Sequence, residues 1–410
     1  MIRPILRLNV KKALLFSFAA LGPLGNLLTP PFFPASFRAY YFLLPCFPFF
    51  FLQVRERIAK MGALFLPFLI YCYLSAVMVE NFGSPHEDHT LFRFYLLLCQ
   101  FLFIIGAASV LRTKEEIFQL IKTYVMFYFL SMLVGYIFFF GYYLQLIPIS
   151  LISRFSVIAQ FGFGLLRFSP GSYPNEYGIV SSFVLSILLL ILFDKKETLF
   201  HFSRQWLQVL IIPTFLAFLL TTTRAAYLSF LISLIYISWK SKNFIKTFIQ
   251  VSIFIGLFFI ILIAFNLNMF TILAKGFSQK IDEGSLGERY FLWRETIEQA
   301  KEHPLFGIGF ASLTNIHNVY LQLLFELGIV GSLLLLGSLL MFFLESFFKY
   351  KRPLQDETSL FLKKIRAIGL INVLSFAASN HNLNHHLTWL VFFLCLYRAR
   401  PEIWISSWEK

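Results

Sequence analysis

Apolar runs that approach the length of a membrane span follow one another along almost the whole chain of 410 residues. A transmembrane helix needs about 20 mostly apolar residues. The runs lie near residues 13–28, 40–54, 61–79, 93–111, 123–147, 176–193, 207–221, 225–239, 247–266, 318–344, 366–380 and 387–398. Because 58% of the residues are hydrophobic and only 14% are charged, a soluble domain has too little interior to bury them. We therefore expect an all-α polytopic membrane protein with about 12 transmembrane helices, forming a single integral membrane domain over residues 1–410.

The basic residues indicate how these helices are oriented. Lys and Arg number 35 against 21 Asp and Glu, an excess that in a soluble domain would suggest a nucleic-acid partner. Here the basic residues gather in alternate connections, as they do in the cytoplasmic loops of membrane proteins. We therefore expect both termini in the cytoplasm and no nucleic-acid partner. The basic segments lie near residues 3–12, 55–60, 112–122, 195–204, 240–246, 349–366 and 398–410.

Two of the connections on the opposite side are long, near residues 148–175 and 268–317. The second contains a helix pattern that begins at Ser285, with Glu288 three residues later as in a capping box. Its apolar positions form one face, so we expect this amphipathic helix to lie against the membrane surface. That face consists of Leu286, Tyr290, Trp293, Ile297 and Ala300.

Arg167, Arg224 and Arg289 lie on this outer side, where arginine is disfavoured. Each alone could bind a lipid headgroup phosphate, and Arg289, at the border of the apolar face, could simply extend towards the interface. Together they supply several guanidinium groups, which can hold a diphosphate without a metal. We therefore predict a diphosphate-linked lipid as the ligand.

Polar residues also mark the start of the tenth apolar run. His317 and Asn318 stand at its mouth, and Glu326 lies about two helical turns inside. A histidine at a membrane boundary is either an interfacial residue or a proton acceptor. An ionisable group inside a span needs a partner or a cavity.

A histidine cluster occupies the last outer connection. His381 and His385 are four residues apart, as metal ligands on a helix can be. No carboxylate or cysteine nearby completes a metal site, so the pattern favours a polar interfacial turn. The remaining polar residues of this turn are Asn382, Asn384 and His386.

An ordered series of motifs runs through residues 285–331. It consists of Arg289, Trp293, His303-Pro304-Leu305-Phe306-Gly307-Ile308-Gly309, His317-Asn318, Leu321 and Glu326-Leu327-Gly328-Ile329-Val330-Gly331. This series resembles the O-antigen ligase and O-antigen polymerase superfamily of bacterial inner-membrane glycan transferases. The segment Arg167–Asn175 resembles the family's Arg, Gly, Pro-Asn segment, and Thr223-Arg224 resembles its Ser-Arg turn, with Thr in place of the usual Ser.

The resemblance implies a GT-C-type helical fold with a catalytic region at residues 160–345 and a periplasmic loop at 268–317. It also implies an undecaprenyl diphosphate-linked glycan donor, transfer on the periplasmic side of the inner membrane, and no cofactor or essential metal. The acceptor is the lipid A core in a ligase and another lipid-linked repeat unit in a polymerase. The sequence is also compatible with transfer to a protein acceptor, or with a lipid-glycan transporter that catalyses no transfer.

The chemistry of transfer assigns hypothetical roles to the residues on the outer side. Arg224 and Arg289 stabilise the diphosphate leaving group, with Arg167 as a weaker third. His317 is the candidate general base. Substrate-binding roles are expected for Arg167, Asn175, Asn318 and Glu326.

Overall fold

The computed structural model describes residues 10–25, 27–29, 38–43, 45–46, 62–81, 90–111, 113–154, 167–196, 200, 203–241, 249, 252–253, 256, 285–312, 316–347, 357–378 and 385–397. Within these ranges the chain is helical, and they contain no β-strand. The helices are α1 (Val10–Leu24), α2 (Leu66–Asn81), α3 (Thr90–Val110), α4 (Lys114–Tyr143), α5 (Ile149–Arg154), α6 (Pro174–Asp194), α7 (Arg204–Leu220), α8 (Arg224–Lys240), α9 (Ser285–Ala300), α10 (Val319–Phe347), α11 (Glu357–Ala377) and α12 (His386–Tyr397).

Four of these helices are long and apolar enough to cross a bilayer: α3, α4, α6 and the part of α10 from Val319 to Met341. Shorter apolar helices lie at Leu66–Met78, Arg204–Leu220 and His386–Cys395. The described residues thus support a helical membrane protein, while the full set of twelve spans stays a prediction. The predicted spans near 40–54 and 247–266 lie mostly outside the described residues.

Helix α6 is the centre of the bundle. It packs against α7, α8 and α11, and most of its side chains are buried. Helices further out carry rows of exposed apolar side chains, as helices do where their outer surface meets lipid. Examples are Leu130, Leu133, Ile137, Ile212, Ile235, Leu333, Leu336 and Leu340.

Polar contacts hold α6 in place along its whole length. In its middle, Ser182 donates a hydrogen bond of 2.6 Å to the amide oxygen of Asn372 in α11, and that amide nitrogen donates to Ser233 of α8 at 3.2 Å. At its carboxyl end, Asp194 pairs with Lys364 at 2.6 Å. Buried polar groups that find partners fix the register of neighbouring helices. Helix α6 is therefore a fixed frame for the residues at its opposite, amino-terminal end.

Helix α10 is broken at Gly328, whose φ of 63° and ψ of −165° are not helical. In an unbroken helix, the carbonyl groups of residues 325 and 326 would accept from the amides of residues 329 and 330. Here these carbonyl and amide groups bond instead to the segment Pro304–Gly309, which donates two hydrogen bonds to α10 and accepts two from it. The four bonds, of 2.9 to 3.1 Å, run from Ile308 N to Phe325 O, Gly309 N to Glu326 O, Ile329 N to Pro304 O and Val330 N to Leu305 O. We call residues 304–309 and 325–330 the exchange junction.

The exchange junction is nearly symmetric, because each residue of its first segment corresponds to the residue 21 positions later. Gly307 and Gly328 meet at its centre, both with positive φ. A side chain on either would collide with the other segment's backbone. The hydroxyl group of Tyr71 in α2 lies 3.0 Å from the carbonyl oxygens of Phe306 and Leu327, which also correspond to each other. The junction therefore anchors the loop before α10 to both α10 and α2.

Candidate functional site

Arg167 lies at the amino-terminal end of α6 and is buried, with 8% of its surface exposed. Its Nε donates to the carbonyl oxygen of Thr221 at 2.7 Å. One terminal nitrogen donates to Asn175 Oδ1 at 2.9 Å and to the Thr223 hydroxyl at 3.0 Å. The structure thus brings together two predicted substrate-binding residues, Arg167 and Asn175, and bonds Arg167 to the turn that precedes Arg224.

This turn joins α7 to α8 through Thr221, Thr222 and Thr223, as the sequence predicts. The Thr223 hydroxyl donates to the carbonyl oxygen of Pro174 and does not cap α8. Thr222 has a left-handed φ of 50°, and its buried hydroxyl has no hydrogen-bond partner among the described residues. Strained backbone and unsatisfied polar groups concentrate at functional sites, so the turn is a candidate ligand contact.

The three predicted arginines lie close enough to affect one another electrostatically. Burial lowers the pKa of Arg167 to about 10; Tyr227 opposes this effect, and the charges of Arg289 and Arg224 add to it. Burial, and after it the charge of Arg224, also lowers the pKa of Arg289. Repulsion between guanidinium groups is relieved when an anion binds between them. The arrangement is therefore suited to a multiply charged anion such as a diphosphate.

Helix α9 begins at Ser285, as predicted, and directs Arg289 towards this cluster. Of the predicted apolar face, Tyr290 and Ile297 are exposed, while Thr296 beside it is buried. Trp293 donates from its indole nitrogen to the carbonyl oxygen of Ile316 at 2.8 Å. The segment that leads to His317 thus fixes Trp293, and the contact of the apolar face with the membrane surface stays a prediction.

His317 has a left-handed φ of 53°, a conformation that costs free energy for a residue other than glycine. It is half-buried and directly follows Ile316, the residue that Trp293 holds. The backbone on both sides of His317 is therefore fixed, which is what a catalytic side chain requires.

Asn318 caps α10. Its side-chain oxygen accepts from the amides of Tyr320 at 3.0 Å and Leu321 at 3.1 Å, as an N-cap residue does. The predicted role of Asn318 in binding substrate stays a prediction, while its structural role is to begin the helix directly after His317.

Glu326 is 1% exposed, and it has the polar partners that an ionisable group inside a span needs. One carboxylate oxygen accepts from the amide of Ala311 at 2.8 Å, and the other accepts from the Gln322 side chain at 2.8 Å. Ala311 has a left-handed φ of 62°. Glu326 therefore holds a strained residue of the loop that carries His317.

The histidines of the last outer connection differ from the prediction of a polar interfacial turn. His385 and His386 are 6% and 5% exposed, and His386 Nδ1 lies 3.1 Å from the Tyr124 hydroxyl. Helix α12 begins at His386 and packs against α3, which draws both rings inside the bundle. His381, Asn382 and Asn384 lie outside the described residues.

Sequence reasoning missed two arginines near the site. Arg38 pairs with Glu176 at 2.7 Å, in the first turn of α6. Arg93 donates to the carbonyl oxygen of Ala311 at 3.2 Å. Both stand on the predicted outer side, where arginine is disfavoured. The reasoning that singled out Arg167 would therefore also have indicated Arg38 and Arg93.

Residues 209–336 match the family model described as O-antigen ligase. The matched segment includes Arg224, Arg289, His317, Glu326 and the exchange junction, while Arg167 precedes it. No curated protein matches the chain. Over residues 209–336, the match confirms the resemblance to the O-antigen ligase and O-antigen polymerase superfamily that the sequence motifs indicate.

Proposed function

We propose that this chain is a GT-C-type glycosyltransferase with about twelve spans that acts at the periplasmic face of the bacterial inner membrane. It transfers a glycan from undecaprenyl diphosphate to an acceptor sugar of the lipid A core, without a metal or cofactor. The family match supports activity of the O-antigen ligase or polymerase class. The observation that carries the proposal is the convergence of three arginines: Arg167 before α6, Arg224 at the start of α8, and Arg289 in the loop helix α9.

In the proposed reaction, a hydroxyl group of the acceptor attacks the anomeric carbon of the donor sugar. A new carbon–oxygen bond forms there while the bond from that carbon to the diphosphate oxygen breaks. The electron pair of the broken bond stays on the diphosphate, and Arg224 and Arg289 stabilise the added charge. His317 takes the proton of the attacking hydroxyl. Attack from the face opposite the diphosphate inverts the anomeric configuration.

Arg167 has a different part in this proposal. Its Nε and one terminal nitrogen are bonded to the helix α7–α8 turn and to Asn175, so its position is set before the donor arrives. A preorganised charge costs no rearrangement during the reaction. Arg167 and Asn175 therefore bind the diphosphate, and Glu326 and Asn318 hold the loop of His317 against it.

The test is deletion of the gene in its host and complementation with wild type or with Arg224→Ala, Arg289→Ala or His317→Ala. We expect wild type to restore glycan on lipid A and the three variants to fail while still inserting in the membrane. Arg294→Ala and His303→Ala are matched controls, because Arg294 and His303 are exposed on the same loop; both should restore the glycan.

The glycan that accumulates distinguishes a ligase from a polymerase. Long chains left on the lipid carrier indicate a ligase, whereas single repeat units attached to lipid A indicate a polymerase. An unchanged glycan pattern after deletion contradicts both and favours a transporter or another glycan. Full restoration by any one of the three variants removes that residue from the mechanism.

A further inference from the structure

The chain before the matched family segment contacts the arginine site through an ion pair between a buried arginine and a partly buried glutamate. Arg38 and Glu176 are 2.7 Å apart, and their side chains are 8% and 19% exposed. The Arg38 guanidinium also lies 5.2 Å from the centre of the Tyr173 ring. Arg38 thus contacts residues on both sides of Asn175, the residue that binds Arg167.

The backbone next to Arg38 is also connected, through Gly25, to the loop that precedes α6. The amide of Ala39 donates to the carbonyl oxygen of Gly25 at 3.0 Å. Gly25 and Gly171 approach so closely that a side chain on either would collide with the backbone of the other segment. The residues after α1 are therefore fitted against the loop 167–173 as well as against α6.

A buried ion pair adds little stability relative to apolar side chains of the same size, because both charges lose their hydration. Its contribution is geometric, since leaving one charge buried without the other is strongly unfavourable. Glu176 is next to Asn175 in the first turn of α6. A fixed Glu176 therefore fixes the direction in which Asn175 presents its oxygen to Arg167.

We propose that Arg38, acting through Glu176 and Asn175, is a positioning residue that holds Arg167 in the geometry needed to bind the donor diphosphate. This inference rests on the proposed function, because it concerns the same diphosphate site. It gives the N-terminal part of the chain an indirect share in donor binding, although the family match begins at residue 209.

The experiment measures binding of farnesyl diphosphate, a short lipid diphosphate, to the purified full-length protein in detergent. We expect Arg38→Ala and Glu176→Gln to weaken binding about tenfold, as the loss of one charged hydrogen bond does. Arg38→Lys, which keeps the charge, should recover part of the affinity. In a transfer assay the KM for the lipid-linked donor should rise, with the KM for the acceptor unchanged.

Lys12→Ala is the matched control for a merely structural effect. Lys12 forms an ion pair with Glu116 between α1 and α4, so its loss removes a comparable contact away from the arginines. We expect Lys12→Ala to lower the melting temperature and to leave farnesyl diphosphate binding unchanged.

The outcomes separate this inference from the proposed function. If wild type does not bind farnesyl diphosphate, or if Arg167→Ala and Arg289→Ala bind it as wild type does, the diphosphate site is wrong and the inference fails with it. If those two variants lose binding and Arg38→Ala keeps it, only the positioning role of Arg38 is wrong.

Discussion

The hydroxyl oxygen of Thr223 accepts a hydrogen bond of 3.0 Å from Arg167. The same hydroxyl donates to the carbonyl oxygen of Pro174, so one small side chain joins the arginine to the start of α6. The space around Thr223 is limited by Gly178, where a β-carbon would lie 2.8 Å from the Thr223 hydroxyl. Only a hydroxyl group on a short side chain meets both requirements at this position.

Replacement of Thr223 by Val keeps its shape and removes both hydrogen bonds. We expect Thr223→Val to raise the KM for the lipid-linked donor about tenfold, because a hydrogen bond to a charged group contributes roughly 1.5 kcal/mol. Thr223→Ser keeps the hydroxyl and should act as wild type does. Equal kinetics in Thr223→Val and Thr223→Ser would show that this hydroxyl does not position Arg167.

Replacement of Gly328 by Ala places a methyl group against the backbone of Leu305, at a positive φ. We expect Gly328→Ala to lower the free energy of unfolding by about 2 kcal/mol or more, measured as thermal unfolding in detergent. Gly337→Ala is the control in the same helix, because nothing lies within 4 Å of a β-carbon there. Similar stabilities of the two variants would contradict the close contact at the junction.

Replacement of Tyr71 by Phe removes the hydroxyl that two carbonyl oxygens share. The expected loss is about 1 kcal/mol, together with faster proteolysis of the loop that carries His317. Tyr73 is on the same helix and is 48% exposed, so Tyr73→Phe should change neither. If both Tyr variants unfold alike, the hydroxyl of Tyr71 contributes nothing to the anchor.

Replacement of Glu326 by Gln puts an NH₂ group where a carboxylate oxygen now accepts a hydrogen bond. The two oxygens now accept from Ala311 N and from the Gln322 side chain. Both bonds survive the change only if the Gln322 amide turns its oxygen towards the new NH₂ group, and both then lose the strength that the negative charge gives them. We expect a loss of about 1–3 kcal/mol and reduced transfer. The exposed Glu298 provides the control Glu298→Gln; unchanged stability in Glu326→Gln would mean that the amide of Ala311 does not depend on the charge.

His385 should make the stability of the protein depend on pH. Burial lowers its pKa from 6.5 to about 4, so between these values the unfolded chain binds a proton that the folded chain does not. The free energy of unfolding should therefore fall as the pH drops from 6.5 to about 4, by at most about 3 kcal/mol for this group. Melting temperatures at pH 7.5 and 4.5 should differ less in His385→Asn than in wild type, and in the His303→Asn control they should differ as in wild type.

Features that depend on local composition can be predicted from the sequence. The long apolar helices, the α7–α8 turn and the start of α9 at Ser285 follow from hydropathy and capping patterns. The proximity of Arg167, Arg224 and Arg289 agrees with the prediction that all three lie on the same side. The partners of these residues depend on tertiary packing. Trp293 of α9 is held by the carbonyl oxygen of Ile316, and no periodicity within the helix contains that information.

The dependence on tertiary packing also explains why the sequence does not predict the buried histidines or the broken helix. The neighbours of His385 and His386 in the sequence are polar and therefore predict a polar turn; the burial of both rings comes from α12 packing against α3, which is distant in the chain. The glycines at 307 and 328 are visible in the sequence as flexible points. Their contact with each other depends on hydrogen bonds between two segments and cannot be derived from either one.

The exchange junction has a consequence for how this protein is made. The break in α10 exposes backbone groups that cannot remain unsatisfied in lipid, so α10 alone should enter the membrane as a continuous helix. Only after residues 304–309 dock can the two hydrogen bonds of the helix be traded for four between segments. Docking of these residues then converts a continuous transmembrane helix into a broken one and, in the same event, anchors the segment that precedes His317 to that helix.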